Sequence, residues 1–328
     1  MMTAKIIRLT RIVLSVVILG MLTCALCIPA LAIPGVSAWL EKIQLGPAIL
    51  SFSLIMIVAW LLVTLAFGRV YCSTACPMGT VQDLFARVPR LMPLDKFGRS
   101  PRRYRYAKPL TALRYTILLL TLGCLIAGFM TIPSVLEPFS AFNRICNALL
   151  SPALNTVSEY LEPLGLTGRA PAMVVTVSAS ATLLAAFILC AVAILAMNGG
   201  RTVCNTVCPV GTALGCVSRY AIYQMDIDTD LCIQCGKCAD ACKGACIDLK
   251  DHTVDGSRCV VCFDCAAVCP NNAIRFTRNR KQLAAPLMQR IAGPGRQPQT
   301  SLNSNMPCSA PTPPAPSSEI EPVAKPKC

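Results

Sequence analysis

Histidine is almost absent from this sequence: His252 is the single one in 328 residues. Haem held by two histidines, c-type haem attached through C-x-x-C-H and His-rich zinc catalysis all need imidazoles that the chain lacks. The sequence therefore predicts no haem. It also lacks a Walker loop, a G-x-S-x-G turn and a G-x-G-x-x-G turn, so nothing supports nucleotide binding or acyl transfer.

Acidic residues are also scarce, with 16 Asp and Glu against 30 Lys and Arg, a formal net charge of +14. Hydrophobic residues make up 54% of the chain, and the mean hydropathy is +0.58. Such a composition is too apolar for an ordinary soluble domain and indicates a membrane protein with a smaller soluble part. Basic loops then serve to orient the membrane segments, and we expect no nucleic-acid partner.

Long apolar runs without charged residues occur four times, each near the ~20 residues that a helix needs to cross a bilayer. The runs are Ile12–Ala32, Ala48–Phe67, Tyr115–Ile132 and Ala172–Met197. They predict four transmembrane helices. The first run ends in Ala30-Leu31-Ala32, which resembles a signal-peptide cleavage site; cleavage would leave three helices, but the run is long and we expect an uncleaved helix.

Basic residues set the expected orientation. Segment 68–111 holds nine Lys and Arg against two Asp, and the N-terminus holds Lys5, Arg8 and Arg11 without an acid. The positive-inside rule places both on the cytoplasmic side. We therefore expect a multi-pass protein of the bacterial cytoplasmic membrane with both termini in the cytoplasm.

Eight cysteines form the strongest motif, two C-x2-C-x2-C-x3-C runs in CIQCGKCADAC and CVVCFDCAAVCP. Each cysteine repeats at an offset of 27: Cys232 and Cys259, Cys235 and Cys262, Cys238 and Cys265, Cys242 and Cys269. Zinc prefers one tetrahedral set of four ligands, and a cytoplasmic location disfavours disulfides. The duplicated spacing instead indicates iron–sulfur clusters.

This segment resembles the bacterial two-cluster ferredoxins, in which the fourth cysteine of each run serves the other cluster. The resemblance implies one 4Fe–4S cluster on Cys232, Cys235, Cys238 and Cys269. It implies a second on Cys259, Cys262, Cys265 and Cys242. The first run departs from the family because Lys243 replaces the usual proline and a spare Cys246 follows. Cys246 either replaces Cys242 as a ligand or is a small buried residue.

A second cysteine motif, C-x-x-x-C-P, occurs twice, in GRVYCSTACPMGT from Gly68 and GRTVCNTVCPVGT from Gly200. Nine of twenty positions match between 68–87 and 200–219, and each copy follows an apolar run. The proline predicts a helix start directly after the second cysteine of each copy. A pseudo-twofold arrangement would bring together four thiols, those of Cys72, Cys76, Cys204 and Cys208. They would hold a further iron–sulfur cluster or a soft metal such as copper, unless the motifs only shape the helix exits and dock the ferredoxin segment.

Taken together, four membrane helices, two C-x-x-x-C-P motifs and a C-terminal eight-cysteine segment resemble the NapH/NosR-type membrane polyferredoxins. The short loops leave no room for the flavin-bearing domain of NosR-type members, so the chain is closer to the NapH-like form. The expected organisation is a first helix pair in 1–67, a basic loop in 68–111, a second helix pair in 112–199, the second motif in 200–219, a small α+β ferredoxin domain with two clusters in 220–280 and a disordered Pro-rich tail in 281–328.

The resemblance implies electron transfer between a quinol pool or a soluble donor and a partner redox protein, such as a ferredoxin or a reductase subunit. The chain would then be an electron-transfer component rather than a stand-alone enzyme. Two alternatives remain open at this point. One is a copper-handling or assembly factor that uses the ferredoxin as its electron source, and the other is a redox-sensing regulator.

Overall fold

The computed structural model describes residues 2–27, 34–50, 53–91, 104, 106–154 and 178–278. Three sequence predictions concern residues outside these ranges: the disordered tail 281–328, the candidate cleavage site 30–32 and the basic residues of segment 92–103.

The described residues are mostly helical. Up to the first motif copy, the helices are α1 Met2–Cys27, α2 Pro34–Ile43, α3 Leu45–Leu50, α4 Leu54–Phe67, α5 Val70–Thr74, α6 Pro77–Phe85 and α7 Val88–Leu91. They continue with α8 Thr111–Ile126, α9 Thr131–Leu136 and α10 Pro138–Ile145, then a π-helical turn Cys146–Leu150. The second copy is flanked by α11 Ala179–Gly199, α12 Thr202–Thr206 and α13 Pro209–Ser218.

Two of these helices are long and apolar enough to cross a membrane, namely Thr3–Cys27 within α1 and Ala179–Gly199, which is α11. The second and third apolar runs give the shorter α4 and α8, of 14 and 16 residues. At 1.5 Å per residue these span about 21 and 24 Å, less than a hydrocarbon core of about 30 Å. Within the described residues, two membrane helices are therefore supported, against the four predicted from the runs.

Both motif copies have the same local structure. The C-cap residues of α4 and α11 are Gly68 with φ +79° and Gly200 with φ +69°, left-handed values that favour glycine. Cys76 and Cys208 are the N-cap residues of α6 and α13, each followed by proline at the first helical position. Proline fits there because its fixed φ is helical and its missing N–H would have no partner. The predicted helix starts are thus confirmed.

The helices cross over between the two motif copies. α6 of the first copy packs against α11, which leads into the second copy. In return, α13 of the second copy packs against α4, which leads into the first. This reciprocal packing places both motifs side by side in the core.

The eight-cysteine segment adds four short strands and two helices: β1 Tyr223–Ile227, α14 Lys237–Ala241, β2 Ile247–Asp248, β3 Thr253–Val254, α15 Asp264–Val268 and β4 Ile274–Arg278. β1 pairs with β4 and β2 with β3, both antiparallel. The predicted strands in AIYQMDI and AIRFT are confirmed as β1 and β4. The 27-residue repeat also extends to the backbone, since left-handed φ values recur in three pairs: Gln234 and Val261, Gly236 and Phe263, Ala245 and Asn272.

Candidate iron–sulfur sites

The two C-x-x-x-C-P motifs meet in the core, and we call their thiols the four-thiol site: Cys72, Cys76, Cys204 and Cys208. All four side chains are buried. Burial, followed by the neighbouring Cys204, Cys72 and Cys208, raises the pKa of Cys76 well above its ordinary value. Burial also raises the pKa of Cys208, with Cys204 and Cys72 adding to the effect. The structure therefore brings together the cysteines that the repeat predicted to converge.

Two fully buried arginines cross between the motif copies. Arg69 of the first copy donates from Nη2 to the Cys204 carbonyl at 3.1 Å. Arg201 of the second copy donates from Nη1 to the Cys72 carbonyl. Both side chains are 0% exposed. Each Gly-Arg pair thus supports the cysteine loop of the opposite copy.

The glycine in each Pro-x-Gly-Thr sequence makes room for this crossing. A Cβ at Gly79 would lie 2.3 Å from the Cys72 carbonyl oxygen and 3.1 Å from Arg201 Nη1. A Cβ at Gly211 would lie 2.3 Å from the Cys204 carbonyl oxygen and 2.8 Å from Arg69 Nη2. Any larger residue would displace the cysteine loop or the guanidinium, so the matching glycines follow from close packing.

The charge of Arg69 indicates what the four-thiol site can hold. Within the described residues its hydrogen bonds go to Asn205 Oδ1, the Ser257 and Cys204 carbonyls and Cys72 Sγ, with no carboxylate among them. A buried guanidinium needs a compensating negative charge. Burial lowers the pKa of Arg69, but the thiols of Cys72, Cys204 and Cys208 outweigh it and raise the pKa. Burial raises the pKa of Cys76, Cys204 and Cys208, whereas the buried positive charge of Arg69 would favour the thiolate form in which cysteine binds metals and clusters.

Among the described residues, no group of three or more His, Cys, Asp or Glu side chains is arranged around the position of a single metal ion.

Asp83 links the first motif copy to three cations. Its carboxylate lies 2.9 Å from Arg201 Nε, 3.4 Å from Arg11 Nη1 and 3.4 Å from Lys243 Nζ. Burial acts to raise the pKa of Asp83, but Arg201, Lys243 and Arg11 outweigh it and hold the pKa below the ordinary range. Asp83 is therefore a buried anion on which α1, the second motif and the eight-cysteine segment converge.

Lys243 continues this network into the eight-cysteine segment. Its Nζ lies 3.0 Å from Asp264 Oδ2, and Asp264 also receives Arg8 Nε at 2.6 Å. The Lys243 carbonyl accepts the Arg201 backbone N–H at 2.9 Å. A lysine at this position, where the ferredoxin pattern has proline, joins the segment to both motif copies.

We expect Asp83→Asn to destabilise the protein, because Arg201 and Lys243 would keep their charges without this carboxylate. Removing one partner of a buried ion pair costs about 3–5 kcal/mol. For a domain of this size that lowers the midpoint of thermal unfolding by roughly 6 °C or more. The measurement is thermal unfolding of the purified protein in detergent, with the exposed Asp251→Asn as the matched control.

The destabilisation caused by Asp83→Asn should become smaller at acidic pH. Because the pKa of Asp83 is depressed on folding, its contribution is complete above the ordinary aspartate pKa of about 3.9 and is lost as the pH falls through the folded value. The difference in the midpoint of thermal unfolding between wild type and Asp83→Asn should therefore be full at neutral pH and shrink on acidification below about pH 4. A difference that stays constant with pH would show that Asp83 acts through shape alone.

The eight cysteines of the C-terminal segment form two groups. The first, which we call the outer group, consists of Cys232, Cys235, Cys238 and Cys269, and all four line one small pocket. Cys235 is exposed, and the neighbouring Ile233 is 62% exposed. The outer group therefore reaches the surface at Cys235, although Cys238 and Cys269 are buried.

The second, which we call the inner group, consists of Cys242, Cys259, Cys262 and Cys265. Burial, then Cys262, Cys242 and Cys259, raises the pKa of Cys265 well above its ordinary value. Burial raises the pKa of Cys262 to about 12, with Asp264 and Cys242 adding to the rise. In both groups, the fourth cysteine of one run stands with the first three of the other run.

The inner group faces the four-thiol site. Cys262 packs against the hydrophobic core that contains Cys72 and Cys76. The Ser257 carbonyl, two residues before Cys259, accepts a hydrogen bond from Arg69 Nη1 at 3.1 Å. The three thiol groups therefore follow one another from the helices to the surface.

Three residues of this arrangement were not predicted as functional from the sequence. They are Asp83, Lys243 and Gln82, whose Nε2 donates to Cys204 Sγ at 3.2 Å. Gln82 and Asp83 lie outside the nine positions shared by the two copies, so the repeat gave no signal for them. Lys243 was recognisable only as a departure from the ferredoxin pattern.

Comparison with known proteins agrees with this geometry. The family model described as "4Fe-4S binding domain" matches residues 50–96 and 181–225, each of which contains one motif copy. The putative electron transport protein YccM of Escherichia coli is 23% identical over 226 residues, 68% of this chain and 55% of that protein. The match thus spans about half the length of YccM. No solved structure matches the chain at a significant level.

Two further relatives match different lengths of this chain. The ferredoxin-type protein NapH of Escherichia coli is 23% identical over 229 residues, 67% of this chain and 66% of that protein. Pyruvate synthase subunit PorD of Methanothermobacter marburgensis is 33% identical over 72 residues, 22% of this chain and 88% of that protein.

The cysteine groups and these matches define an iron–sulfur protein of the electron-transport class. Within that class, the chain carries two matches to a 4Fe–4S binding domain and is similar to the ferredoxin-type protein NapH and to YccM.

Proposed function

We propose that this chain is a membrane-bound carrier that passes electrons between a quinol pool or a soluble donor and a partner redox protein. The observation that carries the proposal is the series of four-thiol site, inner group and outer group, which leads from the apolar helices to the exposed Cys235. Bound 4Fe–4S clusters supply reversible one-electron uptake and release. The protein positions these centres and sets their potentials.

The ligand assignment follows the three groups. The outer group would hold one 4Fe–4S cluster, the inner group a second and the four-thiol site a third. The third is supported by the match of both motif copies to a 4Fe–4S domain and by the buried Arg69, whose charge the thiolates would balance. Thiolates on four irons also suit the soft character of the site.

The proposed membrane arrangement is four helices with the two-cluster ferredoxin domain, 220–280, on the cytoplasmic side. Two helices of sufficient length support it, as do the basic N-terminal residues Lys5, Arg8 and Arg11. The apolar runs that contain α4 and α8 extend beyond these helices into α3 and α9, which supports two more crossings. Because the outer group is exposed, we propose that the partner docks beside Ile233 and Cys235.

A large apolar cavity supports quinol as the membrane reactant. It measures about 520 Å³ and lies between α1, α2, α4 and α5. Trp39, Trp60 and Gln44 line it, and so do Thr74 and Ala75, which directly precede Cys76. Apolar pockets with few polar groups are typical of small-molecule sites. A quinol here would give up its two electrons one at a time, each passing through the four-thiol site to the inner and outer groups, and would release its two protons to water.

Filling this cavity should slow reaction with quinone. Ala59 lines the cavity, whereas the adjacent Val58 does not line it and is 49% exposed. We expect Ala59→Phe to lower, by about tenfold or more, the rate at which decylubiquinone reoxidises dithionite-reduced protein, because a ring would occupy the space of the quinone head. The measurement is stopped-flow absorbance of the purified protein in detergent, with Val58→Phe as the matched control.

The outcomes separate the two donors. If Ala59→Phe and Val58→Phe slow reoxidation by decylubiquinone equally, or if neither variant slows it, the cavity is not the quinone site. A wild-type protein that decylubiquinone cannot reoxidise, although a soluble ferredoxin can, would leave the soluble donor and exclude the quinol. Dithionite should reduce the wild type, Ala59→Phe and Val58→Phe to the same extent, because it reaches the exposed outer group directly.

A further inference from the structure

A fifth thiol, that of Cys246, lies beside the inner group. It is 2% exposed, and its Sγ lies 3.4 Å from Cys242 Sγ. It also lies beside Cys259. Cys246 therefore contacts one sulfur, and neighbours a second, that the proposed function assigns as ligands of one cluster.

The other half of the repeat has the same backbone without this thiol. An offset of 27 takes Cys246 to Ala273, which is also buried at 2% exposure. The Ala273 backbone N–H donates to Cys269 Sγ at 3.3 Å, and the Cys246 backbone N–H likewise bonds Cys242. The preceding residues, Ala245 and Asn272, share left-handed φ values of 48° and 53°. Position 246 thus differs from its counterpart by the thiol.

We propose that Cys246 is a tuning residue whose S–H donates a hydrogen bond to Cys242 and raises the reduction potential of the inner cluster. This inference rests on the proposed function. Cys246 binds no iron in this account. Bound thiolates accept hydrogen bonds, and a thiol is a weak donor.

The direction of the change in reduction potential follows from charge. Reduction adds one negative charge to a cluster, and that charge is shared with its ligand sulfurs. A donor aimed at those sulfurs stabilises the reduced state more than the oxidised state, which raises the potential. Because the outer group has Ala273 at the matching position, the thiol acts on one cluster of the pair.

Replacing Cys246 by alanine makes the inner half match the outer half. We expect Cys246→Ala to keep all its iron while the inner cluster is reduced less readily relative to the outer cluster, by about tenfold in the equilibrium ratio. For a one-electron couple this is a fall of about 59 mV in the inner midpoint potential. The measurement is an anaerobic redox titration of the full-length protein followed by EPR.

Two variants serve as references in the same titration. Cys246→Ser keeps a hydrogen-bond donor and should restore most of the wild-type potential. Cys216→Ala removes a thiol that contacts Tyr115 OH at 3.8 Å, away from the inner group, and should leave both potentials unchanged. The inner signal is the one absent from Cys262→Ser.

The results distinguish the inference from the function on which it rests. Unchanged potentials in Cys246→Ala would overturn the tuning role. Loss of one cluster from Cys246→Ala, together with retention of both in Cys242→Ser, would overturn it by making Cys246 a ligand. A wild-type protein without two EPR-active clusters in the eight-cysteine segment would instead refute the proposed function.

Discussion

A Cys204→Ser/Cys208→Ser double variant is expected to lose about one third of the bound iron and nearly all its reaction with quinone, while both clusters of the eight-cysteine segment remain. The two substitutions remove half the thiolates of the four-thiol site, and serine oxygen is a poor ligand where iron prefers soft thiolate. The inner and outer groups lie in a segment with its own strands and buried core. Their ligands are unchanged in this variant.

Iron analysis and EPR of the anaerobically purified double variant provide the measurement. Cys216→Ser is the matched control, because it lies in the same motif copy but outside the four-thiol site. Full iron content with wild-type quinone reactivity in the double variant would show that the motifs only shape the helix exits. Loss of all iron would show that the motifs are needed for folding of the whole chain, and the cluster assignment there would lack support.

Cys262→Ser and Cys235→Ser are expected to abolish one EPR signal each, and not the same one. Cys262 belongs to the inner group and Cys235 to the outer group, although they occupy the same place in the two runs. Transfer from quinol to a soluble acceptor should stop in both variants, because the series is broken in both.

The crossed ligand sets can be tested with the fourth cysteines. If the groups are as the structure places them, Cys242→Ser should affect the signal that Cys262→Ser removes, and Cys269→Ser the signal that Cys235→Ser removes. Pairing by run instead, with Cys242 acting on the Cys235 signal, would contradict the geometry.

The repeats explain why the thiol groups could be predicted from the sequence. The cysteines repeat along the chain at offsets of 27 and 132 residues, and chemically equivalent cysteines in duplicated units occupy equivalent positions. The proline after Cys76 and after Cys208 likewise acts locally, so the helix starts could be predicted. These features need no knowledge of distant contacts.

The contacts between the two motif copies could not be predicted from the spacing of the cysteines. Arg69 and Arg201 each stand three residues before the first cysteine of their own copy, yet each donates to a cysteine carbonyl of the other copy. Asp83 has no counterpart in the second copy, where Gly215 stands. Its role depends on Lys243, 160 positions away in the chain.

Helix lengths were the least predictable feature, because an apolar run shows what can be buried and not where a helix ends. The run Tyr115–Ile132 contains Gly128 with φ +79°, just beyond the end of α8 at Ile126. At the other end, α8 begins at Thr111, four residues before the run. The prediction of four membrane helices therefore stays a proposal for two of them.

The central claim is that three thiol groups hold three iron–sulfur clusters in series. The most direct test is quantification of iron and acid-labile sulfide in the anaerobically purified full-length protein, with EPR during stepwise reduction. The account predicts about twelve iron and twelve sulfide per chain and three separable one-electron signals, with one removed by each of Cys235→Ser, Cys262→Ser and Cys204→Ser/Cys208→Ser. Bound zinc in place of iron, or no more than eight iron with an unchanged spectrum in the double variant, would contradict it.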